Sequence, residues 1–153
     1  MTDTPTRLLG PGDEALLARL AEEEPDFDLA GRSTPRAPLS PADASAYLTD
    51  PSVLHWVAEE DGRVVGDLQC YVERRGAGAA RQLLLYDIGV READRRRGVG
   101  TALVQAMRAW MEREAVDEVW VLADNPGAEA FYAACGFSRD DEQPVQMTLL
   151  TRR

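Results

Sequence analysis

Three consecutive arginines, Arg95, Arg96 and Arg97, run into two glycines one residue apart, Gly98 and Gly100, at the start of an amphipathic stretch. Glycine lets a ligand come close to the backbone, and the first amides of a helix are unpaired donors at the positive end of its dipole. The spacing therefore describes a cradle for an anion, above all a phosphate group. Residues 91–97 carry four arginines against two acids, in a chain of 153 residues whose formal net charge is −10. A compact positive spot in so acidic a protein suits a small polyanionic cofactor, not a polyanionic polymer. Two other nucleotide motifs fail on the residues. The P-loop needs a lysine, and all 17 basic residues are arginine; the dinucleotide fingerprint needs a third glycine where the chain has Leu103.

The elements that must position this cradle can be read along the chain. Arg7-Leu8-Leu9 predicts a short opening strand, and Asp13 a cap for a helix carrying Leu16, Leu17 and Leu20 at helical spacing. Pro25 to Leu39 reads as a loop, and Ser40-Pro41 as the capped start of a second helix. Val53 to Glu59 and Arg63 to Glu73 are strands joined by an Asp61-Gly62 hairpin turn, and Gln82 to Val90 is a further strand. Val99, Ala102, Leu103, Ala106, Met107 and Trp110 fall on one face of the helix after the glycines. Val116 to Ala123 reads as a strand apolar enough to be central, Pro126 to Cys135 as a helix stopped by Gly136, and Val145 to Leu150 as a closing strand. The order implies a mixed α/β sheet in one domain spanning 1–153.

Two linked signatures in this order resemble the GNAT superfamily of N-acetyltransferases. Arg95-Arg96-Arg97-Gly98-Val99-Gly100 is similar to its pyrophosphate loop, and Asp124-Asn125-Pro126 through Phe131-Tyr132 to Gly136-Phe137 is similar to its second signature. The resemblance implies a mostly antiparallel sheet with strands four and five splayed apart and acetyl-CoA bound between them. A bulge in strand four would free the amides of Ile88 and Val90, around Gly89, to polarise the thioester carbonyl. Residues Arg95, Arg96, Arg97, Gly98, Val99, Gly100 and Thr101 would hold the pyrophosphate, with Asn125 and Ala128 along the pantetheine. Tyr132 matches the residue that protonates the departing thiolate. An amine is protonated at neutral pH, so a base must act before attack, and Asp87 is the first candidate.

Tyr86-Asp87-Ile88-Gly89-Val90 further resembles the type I aminoglycoside 3-N-acetyltransferases, although the connection from Asp124 to Tyr132 is shorter than in that group. A polycationic aminoglycoside implies a carboxylate-rich pocket, for which Asp87, Asp124, Asp28, Asp141 and Glu142 are candidates. The same chemistry on another small amine, a polyamine or a protein amine is the alternative, and a non-catalytic acyl-CoA sensor is the reading from another class. Family habit implies a homodimer.

Composition supports this frame. The negative charge disfavours nucleic acid and anionic membrane surfaces, and favours a cationic small-molecule partner. The first fourteen residues lack the pattern of a secretory signal, and no apolar run approaches the length of a membrane span. One histidine and two distant cysteines, Cys70 and Cys135, predict no metal site and point to a reducing cytoplasm. His55 in its apolar strand reads as a satisfied structural histidine, Cys135 as a packing residue at a helix end, and Trp110 and Trp120 as core. Trp56, near the start of the hairpin, is open to a substrate-facing or subunit-facing role.

Overall fold

A computed structural model describes residues 4–27 and 37–151. The chain divides into two compact units, Met1–Leu122 and Ala123–Arg153. The first unit is built on a five-stranded sheet in the order β1 (Thr6–Leu8), β2 (Val53–Glu60), β3 (Arg63–Arg74), β4 (Arg81–Val90) and β5 (Val119–Trp120). Neighbours are antiparallel except the last pair, β4 and β5, which run parallel. Asp61 (φ 52) and Gly62 (φ 74) both take positive φ, the geometry a two-residue hairpin turn needs to match the twist of its strands.

One sheet face is covered by α3 (Val99–Glu114), the other by α1 (Glu14–Glu23) with the following turn Glu24–Phe27 and by α2 (Pro41–Thr49). On the α3 side, Val99, Leu103, Val104 and Met107 bury themselves against Leu68, Cys70, Leu83 and Leu85, all 2% exposed or less. Burial of each large side chain contributes about 1.5–3 kcal/mol. It also pushes the Cys70 thiol up to about 12, because a thiolate there would lose its hydration. On the opposite side Leu9, Leu16, Leu20, Val57 and Val64 form the core, with Leu17, Phe27 and Leu48 packed against it.

Ser40 caps α2 as expected, its hydroxyl accepting from the Asp43 amide at 3.1 Å. Asp13 departs from the expected cap: its side chain makes no capping bond to α1 and instead turns back to Arg7 and the Gly10 amide. The Arg7 guanidinium holds the Asp13 carboxyl below the usual carboxylate range, against the opposing effect of burial, with help from Gly10. A carboxyl lowered in the folded state adds stability that is present above its unfolded pKa and lost as pH falls through the folded value. Asp13→Asn is therefore expected to cost about 1 kcal/mol near neutral pH, a modest figure because Arg7 is half exposed, and to flatten the loss of stability below about pH 4. Urea unfolding across a pH series checks both.

Three other expectations are corrected. The Val116–Ala123 strand is neither long nor central: β5 has two residues and, among the described residues, pairs on one side only, with Leu83 and Leu84. Trp120 lies at this edge, 36% exposed, and its indole donates to Glu73, so it is not a core residue. Trp56 is 3% exposed and packs edge-on against Trp110, which removes it from any substrate-facing or subunit-facing role.

The second unit holds α4 (Pro126–Ala134), ended at Gly136, whose φ of 99 suits glycine. The expected closing strand is absent. Residues 145–150 form no strand, and Val145, Met147, Leu149 and Leu150 are 84–90% exposed. No helix among the described residues is long and apolar enough to cross a membrane.

Candidate active site

Strand β4 carries one residue more than the stretch of β3 it pairs with. Leu85 lies opposite Cys70 but Asp87 opposite Gln69, which leaves Tyr86 as the bulge. Beyond it the Arg91 amide donates to the Val65 carbonyl at 2.8 Å. Amides alternate direction along an antiparallel strand, so those of Ile88 and Val90 face away from β3. The Val90 carbonyl agrees: it accepts from Arg95 Nε at 2.9 Å, on the side away from β3. Before the bulge the amide that faces β5 is an odd-numbered one, Leu83, which donates to Glu118. The outer edge of β4 thus changes phase at Tyr86, and β5 stops pairing just short of it. Among the described residues of this unit, two amide donors are left without a strand beside them.

The loop after β4 is fixed from within. Arg91 is 8% exposed and donates to Asp26, Glu23 and the Val64 carbonyl, with Phe27 stacked 4.8 Å from its guanidinium. Buried Asp94 accepts from Arg63 and Arg97, and Arg97 reaches on to both oxygens of Glu60, which raises its already high pKa. Arg95 donates to the carbonyls of Val90 and Phe27, yet its Nη1 is buried with no partner among the described residues. Arg96, at φ 64, is exposed. Most of the loop's positive charge is therefore spent on holding its shape. What remains for a ligand is the Arg95 Nη1, the Arg96 side chain and the start of α3. There Gly98 sits at φ 81 without a side-chain cap, and the first helical bond runs from Ala102 to Gly98, leaving the amides of Val99, Gly100 and Thr101 ahead of it. Such a set fits a diphosphate.

The face of the sheet toward α1 and α2 presents polar side chains beside the bulge. Asp87 is exposed there in register with Gln69, whose amide donates to the Tyr71 hydroxyl at 3.1 Å, and Tyr71 meets the ring of the bulged Tyr86 at 5.3 Å. Two residues that sequence reasoning gave no site role stand next to them. His55 Nε2 lies 2.8 Å from Asp67 Oδ2, and His55 Nδ1 lies 2.9 Å from the Tyr47 hydroxyl. His55 is thus paired on both nitrogens, as a structural histidine should be, but its partner Asp67 lies directly across from Gly89 on β4.

In the second unit Asn125 caps α4, its side-chain oxygen accepting from the Ala128 amide at 2.8 Å while its nitrogen donates to Asp124. Tyr132 is 8% exposed, its ring against Phe131 and Phe137. Asp141 and Glu142 are exposed, and Asp28 lies outside the described residues.

Residues 17–137 match the acetyltransferase (GNAT) family. A mycothiol acetyltransferase of Clavibacter michiganensis is 40% identical over 82 residues, 54% of this chain and 24% of that protein. An N-acetyltransferase of Rattus norvegicus, N-acetyltransferase 8, is 26% identical over 99 residues, 63% and 45% of the two chains. The chain spans less than half the length of these curated relatives. Among solved structures, an aminoglycoside acetyltransferase from an uncultured soil metagenomic sample, in complex with sisomicin, superposes with a TM-score of 0.81 at 20% identity over 98% of this chain and 97% of the other. Aminoglycoside N-acetyltransferase AAC(6')-Iy in complex with CoA gives 0.69 at 16% identity, over 95% and 100%. At these identities the likeness is one of fold.

Proposed function

The chain belongs to the acetyltransferase (GNAT) family, and on that premise we propose that it transfers the acetyl group of acetyl-CoA directly to an amine of a polycationic small molecule, an aminoglycoside being the favoured class. The observation that carries this reading is the open edge of β4, where the Ile88 and Val90 amides face outward at the bulge. Bound acetyl-CoA supplies an activated thioester. The two amides are donors aimed at the oxygen on which negative charge develops during attack, and they need no reorganisation to meet it. Gly98, Val99, Gly100 and Thr101 hold the pyrophosphate through backbone amides, with Arg95 and Arg96 beside them, whereas Arg97 acts by shaping the loop. The resemblance of Asp124 through Phe137 to the family's second signature supports Asn125 and Ala128 as pantetheine-side residues and Tyr132 as the donor of a proton to the leaving thiolate.

On the acceptor side an ammonium group must lose a proton before it can attack. Asp87, exposed on the strand that carries the two amides, takes it. The surplus of acids over bases favours a cationic acceptor, and the Tyr86-Asp87 pair ahead of Ile88 supports the 3-N amine of an aminoglycoside, with antibiotic resistance as the consequence.

Release of CoA thiol from acetyl-CoA, followed with aminoglycosides, polyamines and peptide amines, tests the reading. Turnover is expected with an aminoglycoside; robust turnover only with another amine would change the acceptor class, and no binding of acetyl-CoA would sink the whole reading. Asp87→Asn is expected to lose about a hundredfold in kcat at neutral pH and to regain part of it at alkaline pH, where the free amine is abundant. A change in the acceptor KM alone would take the base role from Asp87.

A further inference from the structure

Among the described residues, Asp67 has one carboxylate oxygen paired and the other without a partner. Its Oδ2 is bound by His55 Nε2, and His55, 8% exposed, is in turn held at Nδ1 by Tyr47, whose ring meets it edge-on at 6.0 Å. Both ring nitrogens are committed, so the imidazole has one orientation and fixes the carboxylate plane with it. The other oxygen, Oδ1, accepts no hydrogen bond among the described residues and leans over β4 at Gly89, where a Cβ would lie 3.4 Å from it. The Asp67 side chain is 23% exposed. A carboxylate largely withdrawn from water, one of whose oxygens has no partner among the described residues, gains most from a charged donor. Gly89 adds no side chain of its own beside this oxygen, Phe27 packs over the same point with Cβ at 3.3 Å and Cδ1 at 3.5 Å, and Ile88 and Val90 flank Gly89 on the strand.

We infer that Asp67 docks the ammonium of the acceptor amine through Oδ1, with His55 and Tyr47 as positioning residues that keep this oxygen turned toward β4. The inference rests on the acetyltransferase reading and adds to it a docking group distinct from the base. Asp87 lies two residues before Gly89 on the same face, so an amine held at Asp67 stands beside the group that deprotonates it and beside the amides that receive the thioester oxygen.

The chain has a single histidine, so His55 is its own reporter. Titrating the protein with spermidine or kanamycin, without acetyl-CoA, is expected to move the His55 imidazole nitrogen resonances, because an ammonium at Oδ1 weakens the bond that Oδ2 makes to Nε2. The shift should vanish in Asp67→Asn. In steady-state assays Asp67→Asn is expected to raise the acceptor KM about tenfold or more while the acetyl-CoA KM stays within about twofold, and His55→Gln to raise the acceptor KM by less. A His55 signal unmoved by amine at concentrations that saturate turnover, or at 10 mM spermidine where there is no turnover, overturns the inference. So does an unchanged acceptor KM in Asp67→Asn. A shift in His55 without turnover of any amine would uphold the docking site while sinking the transfer reaction, which keeps the two failures apart.

Discussion

Gly66→Val is expected to lower the unfolding free energy by about 3 kcal/mol, the upper end of what overpacking a closed core costs. Gly66 is buried where β3 passes under the first turn of α3. A Cβ there would lie 2.7 Å from Val99 Cγ1, 3.2 Å from Leu103 Cδ1 and 3.1 Å from the Gly89 carbonyl oxygen. The two side chains belong to a helix and must carry it with them if they move, and the carbonyl belongs to β4 and has nowhere to go. Relief comes only from lifting the start of α3, which is also where Gly98 to Thr101 offer their amides. The same substitution is therefore expected to weaken acetyl-CoA binding beyond the loss of fold. Urea unfolding with an unchanged m-value, together with calorimetric titration of acetyl-CoA into the folded fraction, measures the two effects. A variant as stable as the parent would mean that α3 does not rest on β3 this closely.

Tyr132→Phe is expected to reduce kcat about a hundredfold, within the usual range for a general acid, and to leave the dissociation constant of acetyl-CoA within about twofold. The Tyr132 ring is enclosed by Phe131 and Phe137, with centroid distances of 5.5 and 5.3 Å, and phenylalanine keeps that packing. Only the hydroxyl is lost. Rapid-quench measurement of the transfer step beside a thermal melt separates the possibilities. A slowed transfer at constant Tm assigns the hydroxyl to the chemistry, whereas a fall in Tm at constant kcat would leave Tyr132 as an aromatic packing residue.

Local signals in the sequence were reliable where a few neighbouring residues decide the outcome. Asp61-Gly62 folds as the hairpin turn it spells, Ser40-Pro41 starts α2, and the spacing of Val99, Leu103 and Met107 sets the buried stripe of α3. The arginine loop was legible as a loop but not in its electrostatics. Glu60, whose partner is Arg97, and Glu23 and Asp26, whose partner is Arg91, are 37 to 68 positions away, and only the fold says which guanidinium they consume. The His55–Asp67 pair was hidden by one residue. Counted outward from the turn, Glu60 faces Arg63 and Glu59 faces Val64, a register that would set His55 and Asp67 on opposite faces of the hairpin. The irregularity after Ala58 brings Ala58 opposite Gly66, and from there on the two residues share a face. The segment 145–150 alternates as a strand should, but alternation says only which side chains share a face, and a strand also needs a neighbouring edge for its backbone. Trp120 likewise ends at an edge, where an indole and a carboxylate meet in the open.

The extra residue in β4 sets stability and function against each other. Deleting Tyr86 would bring the outer edge of the strand back into one phase from Leu83 to Val90, so that Val121 and Leu122 could continue β5 along it and satisfy amides that are now open. The shortened chain would gain main-chain hydrogen bonds and close the edge that we propose receives the thioester. On the proposed function, a sturdier sheet and an open cofactor edge exclude each other, and the unfinished ladder is the form the second takes.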